Sequence, residues 1–209
     1  MSRPAQIRFL SRVAAAYDPV VQLMGFAPLW DAVAEVAAPA PGEWTLDVCT
    51  GTGGAALELA RRGARVIGLD LASGMLRQAC RKRDDGGDAT QGNPSFLRMD
   101  ARRLAFADRS FPLVTCSMAL HEMADDERSE VLAEIGRVAR DRVVIAEYRV
   151  PRGRKRFLFR AARFFEYAES DDFGSFVRSE LSARLERAGL AIDTPRDVGG
   201  YRIWPCRVS

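Results

Sequence analysis

The sequence predicts an α/β fold: a doubly wound, mostly parallel seven-stranded sheet with an antiparallel C-terminal hairpin and an N-terminal helical cap. Three observations predict it. Between Thr45 and Ala146, short apolar runs alternate with helix-like segments, as a parallel sheet with crossover helices requires. The first run, Leu46-Asp47-Val48-Cys49, enters the glycine turn Thr50-Gly51-Thr52-Gly53-Gly54, and the second, Val66-Ile67-Gly68-Leu69, ends in Asp70. The last two strand-like pieces are joined through Asp197-Val198-Gly199-Gly200, too short for a parallel crossover of about a dozen residues.

The elements follow in order. Before the first strand, residues 1–43 form a helical cap: Ile7, Leu10 and Val13, then Val20, Val21, Leu23 and Met24, then Leu29, Trp30, Val33 and Val36 sit at helical spacings, and Pro39 and Pro41-Gly42 end the region. Residues 44–147 form the core. Strand one is Thr45 to Cys49, followed by a helix from Ala55 to Arg62. Strand two is Arg65 to Leu69, followed by a helix from Ser73 to Arg83 with Ser73 as its cap. The stretch 84–94 has no periodicity and reads as an exposed loop. Strand three starts at Ser95 and ends at Met99-Asp100, strand four is Leu113 to Ser117, a helix spans Asp126 to Ala139, and strand five is Arg142 to Ala146. Residues 148–178 break the pattern. Residues 179–209 close the single domain with a helix from Ser179 to Ala188, a glycine C-cap at Gly189, and strands over Leu190–Thr194 and Tyr201–Cys206.

Composition bounds the function. With 31 basic and 28 acidic residues the net charge is +3, too small to argue for a nucleic-acid partner. Cys49, Cys80, Cys116 and Cys206 show no paired spacing, and one histidine, His121, completes no zinc set, so no metal site is expected and the thiols read as reduced. Met1-Ser2-Arg3-Pro4 is followed by no apolar stretch and cleavage site, which predicts a cytoplasmic protein.

The glycine turn has two readings. Gly51-Thr52-Gly53-Gly54-Ala55-Ala56 satisfies the dinucleotide fingerprint, which allows an NAD- or FAD-dependent oxidoreductase. Asp70 lies 19 residues after Gly51, close to the roughly 20 expected of a ribose-binding acid. Against a dinucleotide stand Asp47 inside the first strand and Asp100 at the end of the third. Three carboxylates along one sheet edge repel a pyrophosphate and suit a ligand with an ammonium group, a ribose and an exocyclic amine.

On these residues the chain resembles a Rossmann-fold S-adenosylmethionine-dependent methyltransferase, and within that family the ubiquinone/menaquinone biosynthesis C-methyltransferase branch. The resemblance runs through Leu46–Gly54, Gly68–Met75, Met99–Phe111 and Ser117–His121, with Val13-Ala14-Ala15-Ala16-Tyr17-Asp18 and Gly25 to Trp30 resembling the branch's N-terminal signature. It implies S-adenosylmethionine as cofactor. Asp47, Thr50, Gly51 and Gly53 would line its methionine moiety, Asp70 would bind the ribose hydroxyls, and Leu71 and Met75 would lie against the adenine. Asp100 would accept from the adenine amine beside an Ala101 backbone donor, Ser117 would sit near the amino-acid end, and Tyr17 would close over the site. The chain departs from the family at Arg137-Val138-Ala139-Arg140-Asp141-Arg142, where members commonly carry Lys-Pro-Gly-Gly.

Methyl transfer from a sulfonium rests mainly on alignment, and a base is wanted only where the acceptor must lose a proton. His121 is the side chain suited to that near neutral pH, with Glu122 as its neighbour. The expected acceptor is small and aromatic or lipid-like, with lining drawn from Phe9, Tyr17, Met24, Phe26, Trp30, Phe164, Phe165, Tyr167, Phe173 and Phe176. Residues 152–176, with six basic side chains among aromatics, read as a cover over the acceptor pocket and a weak peripheral membrane contact. A non-catalytic S-adenosylmethionine-binding or assembly protein is the alternative from a different class.

Overall fold

The computed structural model describes residues 7–9, 11, 12, 14, 27–85, 93–150 and 171–209. The expectations for Tyr17, for the loop tip at 86–92 and for the basic stretch 152–170 lie outside these residues. Helix α1 (Ala27–Ala37) leads into β1 (Trp44–Val48), α2 (Gly54–Arg61), β2 (Arg65–Asp70), α3 (Ser73–Asp85) and β3 (Ser95–Arg98). Then come β4 (Phe111–Ser117), a single 3-10 turn (Leu120–Glu122), α4 (Asp125–Val138) and β5 (Ala139–Tyr148). The chain closes with α5 (Asp171–Arg178), α6 (Leu181–Arg187), β6 (Leu190–Ile192), β7 (Arg196–Val198) and β8 (Tyr201–Val208).

The sheet order is β3-β2-β1-β4-β5-β8-β6, with β7 also on β8. Strands β1 to β5 pair in parallel and β8 is antiparallel to β5. β6 and β7 share the outer edge of β8. Ile192 pairs with Cys206 and Arg196 with Ile203, so three residues of one strand oppose two of the other, the signature of a bulge. Among the described residues the eight segments therefore occupy seven strand positions, as expected.

Several boundaries differ from the sequence reading, each for a local reason. The hairpin joint is only Gly199-Gly200, because Asp197 and Val198 are already in β7. The interruption sits instead around Asp193–Pro195, where the Asp193 amide donates to the Pro205 carbonyl at 2.8 Å. The expected helix over 179–188 is α6 (Leu181–Arg187), and a separate helix, α5, precedes it across Ser179-Glu180. Ser73 is the first residue of α3 rather than its cap, and the amide of Ala72 just before it donates to Asp70 Oδ1 at 2.8 Å. Where the family-type turn is missing, α4 runs to Val138 and β5 begins at Ala139 with no turn between them. Phe111 pairs with Ala139 and Leu113 with Arg142, so the extra residue is absorbed as a bulge in β5.

The core lies on both faces of the sheet. Leu46, Val48, Leu113, Val114, Val143, Ile145 and Ala146 are buried, the near-continuous apolar runs that doubly covered parallel strands need. α1 packs on α2 and reaches β5 and β8, while α4, α5 and α6 pack together. Among the described residues no helix is long and apolar enough to cross a membrane.

Gly136 in α4 shows how closely the α4–α6 layer is fitted. A Cβ there would stand 2.6 Å from the carbonyl oxygen of Ala188, a backbone atom that cannot swing aside. Alanine gains about 1 kcal/mol of helix propensity over glycine, but overpacking against fixed atoms costs about 1–3 kcal/mol. Gly136→Ala is therefore expected to lower stability by about 1 kcal/mol in urea unfolding; a stabilised variant would show that the two helices separate freely.

Candidate active site

The strand order reverses at β1, between β2 and β4. A doubly wound sheet opens a crevice outside the carboxyl ends of its strands at such a switch point. A cavity of about 130 Å³ lies there, lined by Cys49, Gly51, Asp70, Leu71, Met75, Ala101 and Met118 among others. A second, of about 50 Å³, shares Cys49, Gly51 and Met118 with it and adds Trp30, Asp47, Thr50 and Ser117. Two of the shared walls, Cys49 after β1 and Met118 after β4, hold φ angles of +56° and +55°. A side chain at such φ costs about 1–2 kcal/mol, and strain of this kind collects where a site must be shaped.

The glycine turn is fixed from below and from the side. Asp47, in β1, is buried and accepts from the hydroxyls of Thr50 and Thr115, both at 2.6 Å. Burial pushes its carboxyl up to about 6, against the lowering effect of those two hydroxyls. Gly53 has φ +80°, and a Cβ there would stand 3.1 Å from Ala79 Cβ and from the Phe96 ring, so the turn takes glycine on both counts. Asp70 accepts the Gly51 amide on Oδ2 at 3.0 Å and the Ala72 amide on Oδ1 at 2.8 Å. Burial raises its carboxyl above the ordinary range, offset to a degree by these amides. Each oxygen retains a further lone pair for a hydroxyl donor. Lys82 of α3 reaches across to Thr52 Oγ1 at 2.9 Å, a tether with no signal in the sequence.

Asp100 follows β3 at the expected edge but has a partner the sequence reading did not include. Its carboxylate takes a two-pronged grip from Arg102, with Nη2 at 2.8 Å and Nε at 3.2 Å, and Arg102 also reaches Glu127 at 3.4 Å. The edge is therefore not a bare row of three carboxylates but carries a counter-charge. Met75, Met99, Met118 and Met123 all line the larger cavity. They are four of the six methionines of the chain, and such soft side chains mould to the ring of a planar ligand.

Beyond Ser117 the chain turns through Met118–Met123, and this turn carries the expected base. Glu147, fully buried in β5, accepts the amides of Ala119, Leu120 and His121 on Oε1 at 2.9, 2.6 and 3.3 Å. Its Oε2 meets His121 Nδ1 at 2.8 Å. Arg128 of α4, also fully buried, donates to the carbonyls of Leu120 at 2.9 Å and Met123 at 2.8 Å, and burial lowers the affinity of its guanidinium for its proton. The imidazole is walled by Tyr148, Phe173 and Phe176, with ring centroids 4.8, 5.9 and 6.2 Å away. Glu122, the expected neighbour, stands 3.9 Å from Nε2; the close partner is Glu147. The sequence does carry a signal for it, since Glu147 ends an apolar strand just as Asp70 does.

The structure thus brings Asp47, Thr50, Gly51, Asp70, Leu71, Met75, Ala101 and Ser117 to the two cavities, while Gly53 shapes the turn beside them. Among the described residues, the buried Ser117 Oγ has no hydrogen-bond partner. Of the aromatic residues expected around an acceptor, Trp30 lines the smaller cavity, Phe173 and Phe176 pack on His121, and Phe9 is 45 % exposed. Met24, Phe26, Phe164, Phe165 and Tyr167 lie outside the described residues. All four cysteines are free thiols, and no cluster among the described residues has the make-up of a metal site.

Comparison with known proteins bears on the family and the fold. A methyltransferase-domain family model matches residues 45–142. The chain is 34 % identical over 162 residues to a demethylmenaquinone methyltransferase of Thermobifida fusca, covering 72 % of this chain and 66 % of that protein. With the Clavibacter sepedonicus protein of the same name the identity is 35 % over 155 residues, covering 71 % and 60 %. The chain therefore spans somewhat less than two thirds of the length of these curated relatives. Among solved structures, magnesium protoporphyrin IX methyltransferase from Synechocystis with bound SAM superposes with a TM-score of 0.65 at 20 % identity, over 89 % of this chain and 81 % of that one. A SAM-dependent methyltransferase from Methanosarcina mazei gives a TM-score of 0.65 at 22 % identity, over 82 % and 94 %. These two likenesses concern the fold.

Asp47 gives a pH prediction. Its folded-state value of about 6 lies above the ordinary 3.8, so the folded state holds the proton more tightly. This contribution to stability is therefore fully present below pH 3.8 and is lost as pH rises through about 6. At 1.36 kcal/mol per pKa unit the loss is at most about 3 kcal/mol. Asp47→Asn is expected to gain stability on wild type between pH 4 and 7 in chemical denaturation. Parallel stability profiles for the two proteins would show that Asp47 is not held against its charge.

Proposed function

The chain belongs to the Rossmann-fold S-adenosylmethionine-dependent methyltransferases, and from that premise we propose that it methylates a small, aromatic, quinone-type acceptor. Family membership sets aside the nicotinamide or flavin reading that the glycine spacing alone allowed. The observation that carries the proposal is the cavity at the switch point, with Asp70 on one wall and the orphaned Ser117 hydroxyl on the adjoining one. A buried hydroxyl without a partner is costly in a folded protein and fits a ligand that supplies the missing bond. Asp47, ionisable beneath the turn, fits a cationic neighbour, since a nearby positive charge offsets the burial of its carboxylate.

The cofactor, when bound, supplies an electrophilic methyl group on sulfur. Asp70 would accept the ribose hydroxyls, with Leu71, Met75, Ala101 and Asp100 around the adenine and Asp47, Thr50, Gly51, Gly53 and Ser117 at the amino-acid end. His121 would take the proton of an acceptor hydroxyl, raising electron density in the ring to be methylated. Tyr17 and residues 148–178 would cover the acceptor side. The quinone class is supported by the names of the relatives at 34 % and 35 % identity. The free thiols support a reducing, cytoplasmic setting, and the weak net charge of +3 supports a small-molecule rather than a nucleic-acid partner. A weak peripheral contact with anionic membrane would suit a lipid-like acceptor.

The test pairs titration calorimetry with turnover. Wild type is expected to bind S-adenosylmethionine saturably and to add one methyl group to a short-chain demethylmenaquinol, read by mass spectrometry. Asp70→Asn is expected to weaken cofactor binding about 10–100-fold, the equivalent of one hydrogen bond to a charged group. Binding without turnover on any phenolic or quinol acceptor would favour the assembly-protein reading, and no saturable binding would end the proposal.

A further inference from the structure

We propose that Glu147 is the positioning residue of His121: it holds the imidazole as the Nδ1–H tautomer and keeps the Nε2 lone pair on the side of the cofactor cavity. The inference rests on the reading of His121 as base and adds the group that prepares it. A carboxylate can only accept hydrogen bonds. Glu147 Oε1 is committed to the amides of Ala119, Leu120 and His121, and Oε2 lies 2.8 Å from Nδ1. The ring proton must therefore sit on Nδ1, and Nε2 carries the lone pair. Nε2 is the nitrogen near Glu122, at 3.9 Å, and Glu122 lines the cavity with Ala119 and Met123.

The surroundings leave the ring little choice of orientation. Tyr148 follows Glu147 in β5 and meets the ring edge to face, and Phe173 and Phe176 of α5 close the other sides. Among the described residues, the imidazole faces the ionisable groups of Glu147, Glu122 and Tyr148, with Arg128 bonded to the carbonyl of adjacent Leu120. A base needs its proton-accepting nitrogen set before the acceptor arrives, and a carboxylate on the other nitrogen is the general way proteins fix it. Nothing in the backbone demands a glutamate for this. A neutral glutamine would still satisfy the three amides through its oxygen, but its amino group would then face Nδ1 as a donor.

That difference gives a test with an unambiguous reporter, because His121 is the only histidine of the chain. Long-range proton–nitrogen correlation spectra of the ¹⁵N-histidine-labelled full chain, at a pH where the ring is neutral, read which nitrogen carries the proton. Wild type is expected to show Nδ1–H. Glu147→Gln is expected to move the proton to Nε2 and to lower methyl transfer by about 10²-fold or more, the usual contribution of a general base, without weakening S-adenosylmethionine binding to a similar degree. Glu147→Asp, which keeps an acceptor-only carboxylate, is expected to retain Nδ1–H. A wild-type ring protonated at Nε2 would overturn the proposal even if neither variant folded, as would an unchanged tautomer in folded Glu147→Gln. An Nδ1–H ring together with full turnover by His121→Gln would support the anchoring and contradict only the reading of His121 as base.

Discussion

The turn after β4 is held by two buried charges of opposite sign, and the site depends on them. Glu147 collects three successive backbone amides of the turn, and Arg128 collects the carbonyls of Leu120 and Met123. A single 3-10 turn has poor hydrogen-bond geometry and little stability of its own. Here its donors end on a carboxylate and its acceptors on a guanidinium, each such bond about twice as strong as a neutral one. The arrangement is conditional. Removing either side chain leaves the buried backbone groups it holds without partners, at about 1–3 kcal/mol for each. The turn therefore links β4, β5, α4 and α5, and it sets the position of Met118, Ala119, Glu122 and Met123 around the cavity.

Asp47 has the corresponding role in β1. Both acids sit within the sheet rather than on a loop, and both use their oxygens to fix the segment that leaves a strand. Asp47 holds Thr50 of the glycine turn and Thr115 of β4. The result is a rigid floor: the exits of β1 and β4 are tied to buried carboxylates, and the strained residues Cys49 and Met118 are held in place by what surrounds them. Catalysis by alignment needs such a floor, since small displacements of the reacting groups cost rate steeply.

Much of this is legible in the sequence, and for identifiable reasons. Strands with continuous apolar runs and helices with clear periodicity declare themselves, so the order from β1 to β5 and the antiparallel end follow from pattern alone. Asp70 is legible because an acid ending an apolar strand needs partners, and Gly51 and Gly53 because the turn takes a positive φ at both positions. The features that escape a sequence reading share another origin. The Arg102 grip on Asp100, the Lys82 tether to Thr52 and the bonds of Glu147 and Arg128 to the turn depend on which long side chains reach which groups across 2 to 30 residues. Periodicity carries no information on that. Adjacency in sequence points to Glu122 as the partner of His121, whereas adjacency in the sheet decides the contact in favour of Glu147. The break between α5 and α6 and the bulge before the hairpin stay hidden because each is set by packing rather than by a strong turn residue.

Native-state hydrogen exchange at the amides of Ala119, Leu120 and His121 tests the central claim most directly. If Glu147 and Arg128 fix the turn as described, these three amides exchange only with the slow opening that exposes the central strands β4 and β5, despite lying in a one-turn segment. Exchange at the rate of an ordinary surface loop, with β4 and β5 still protected, would contradict the account.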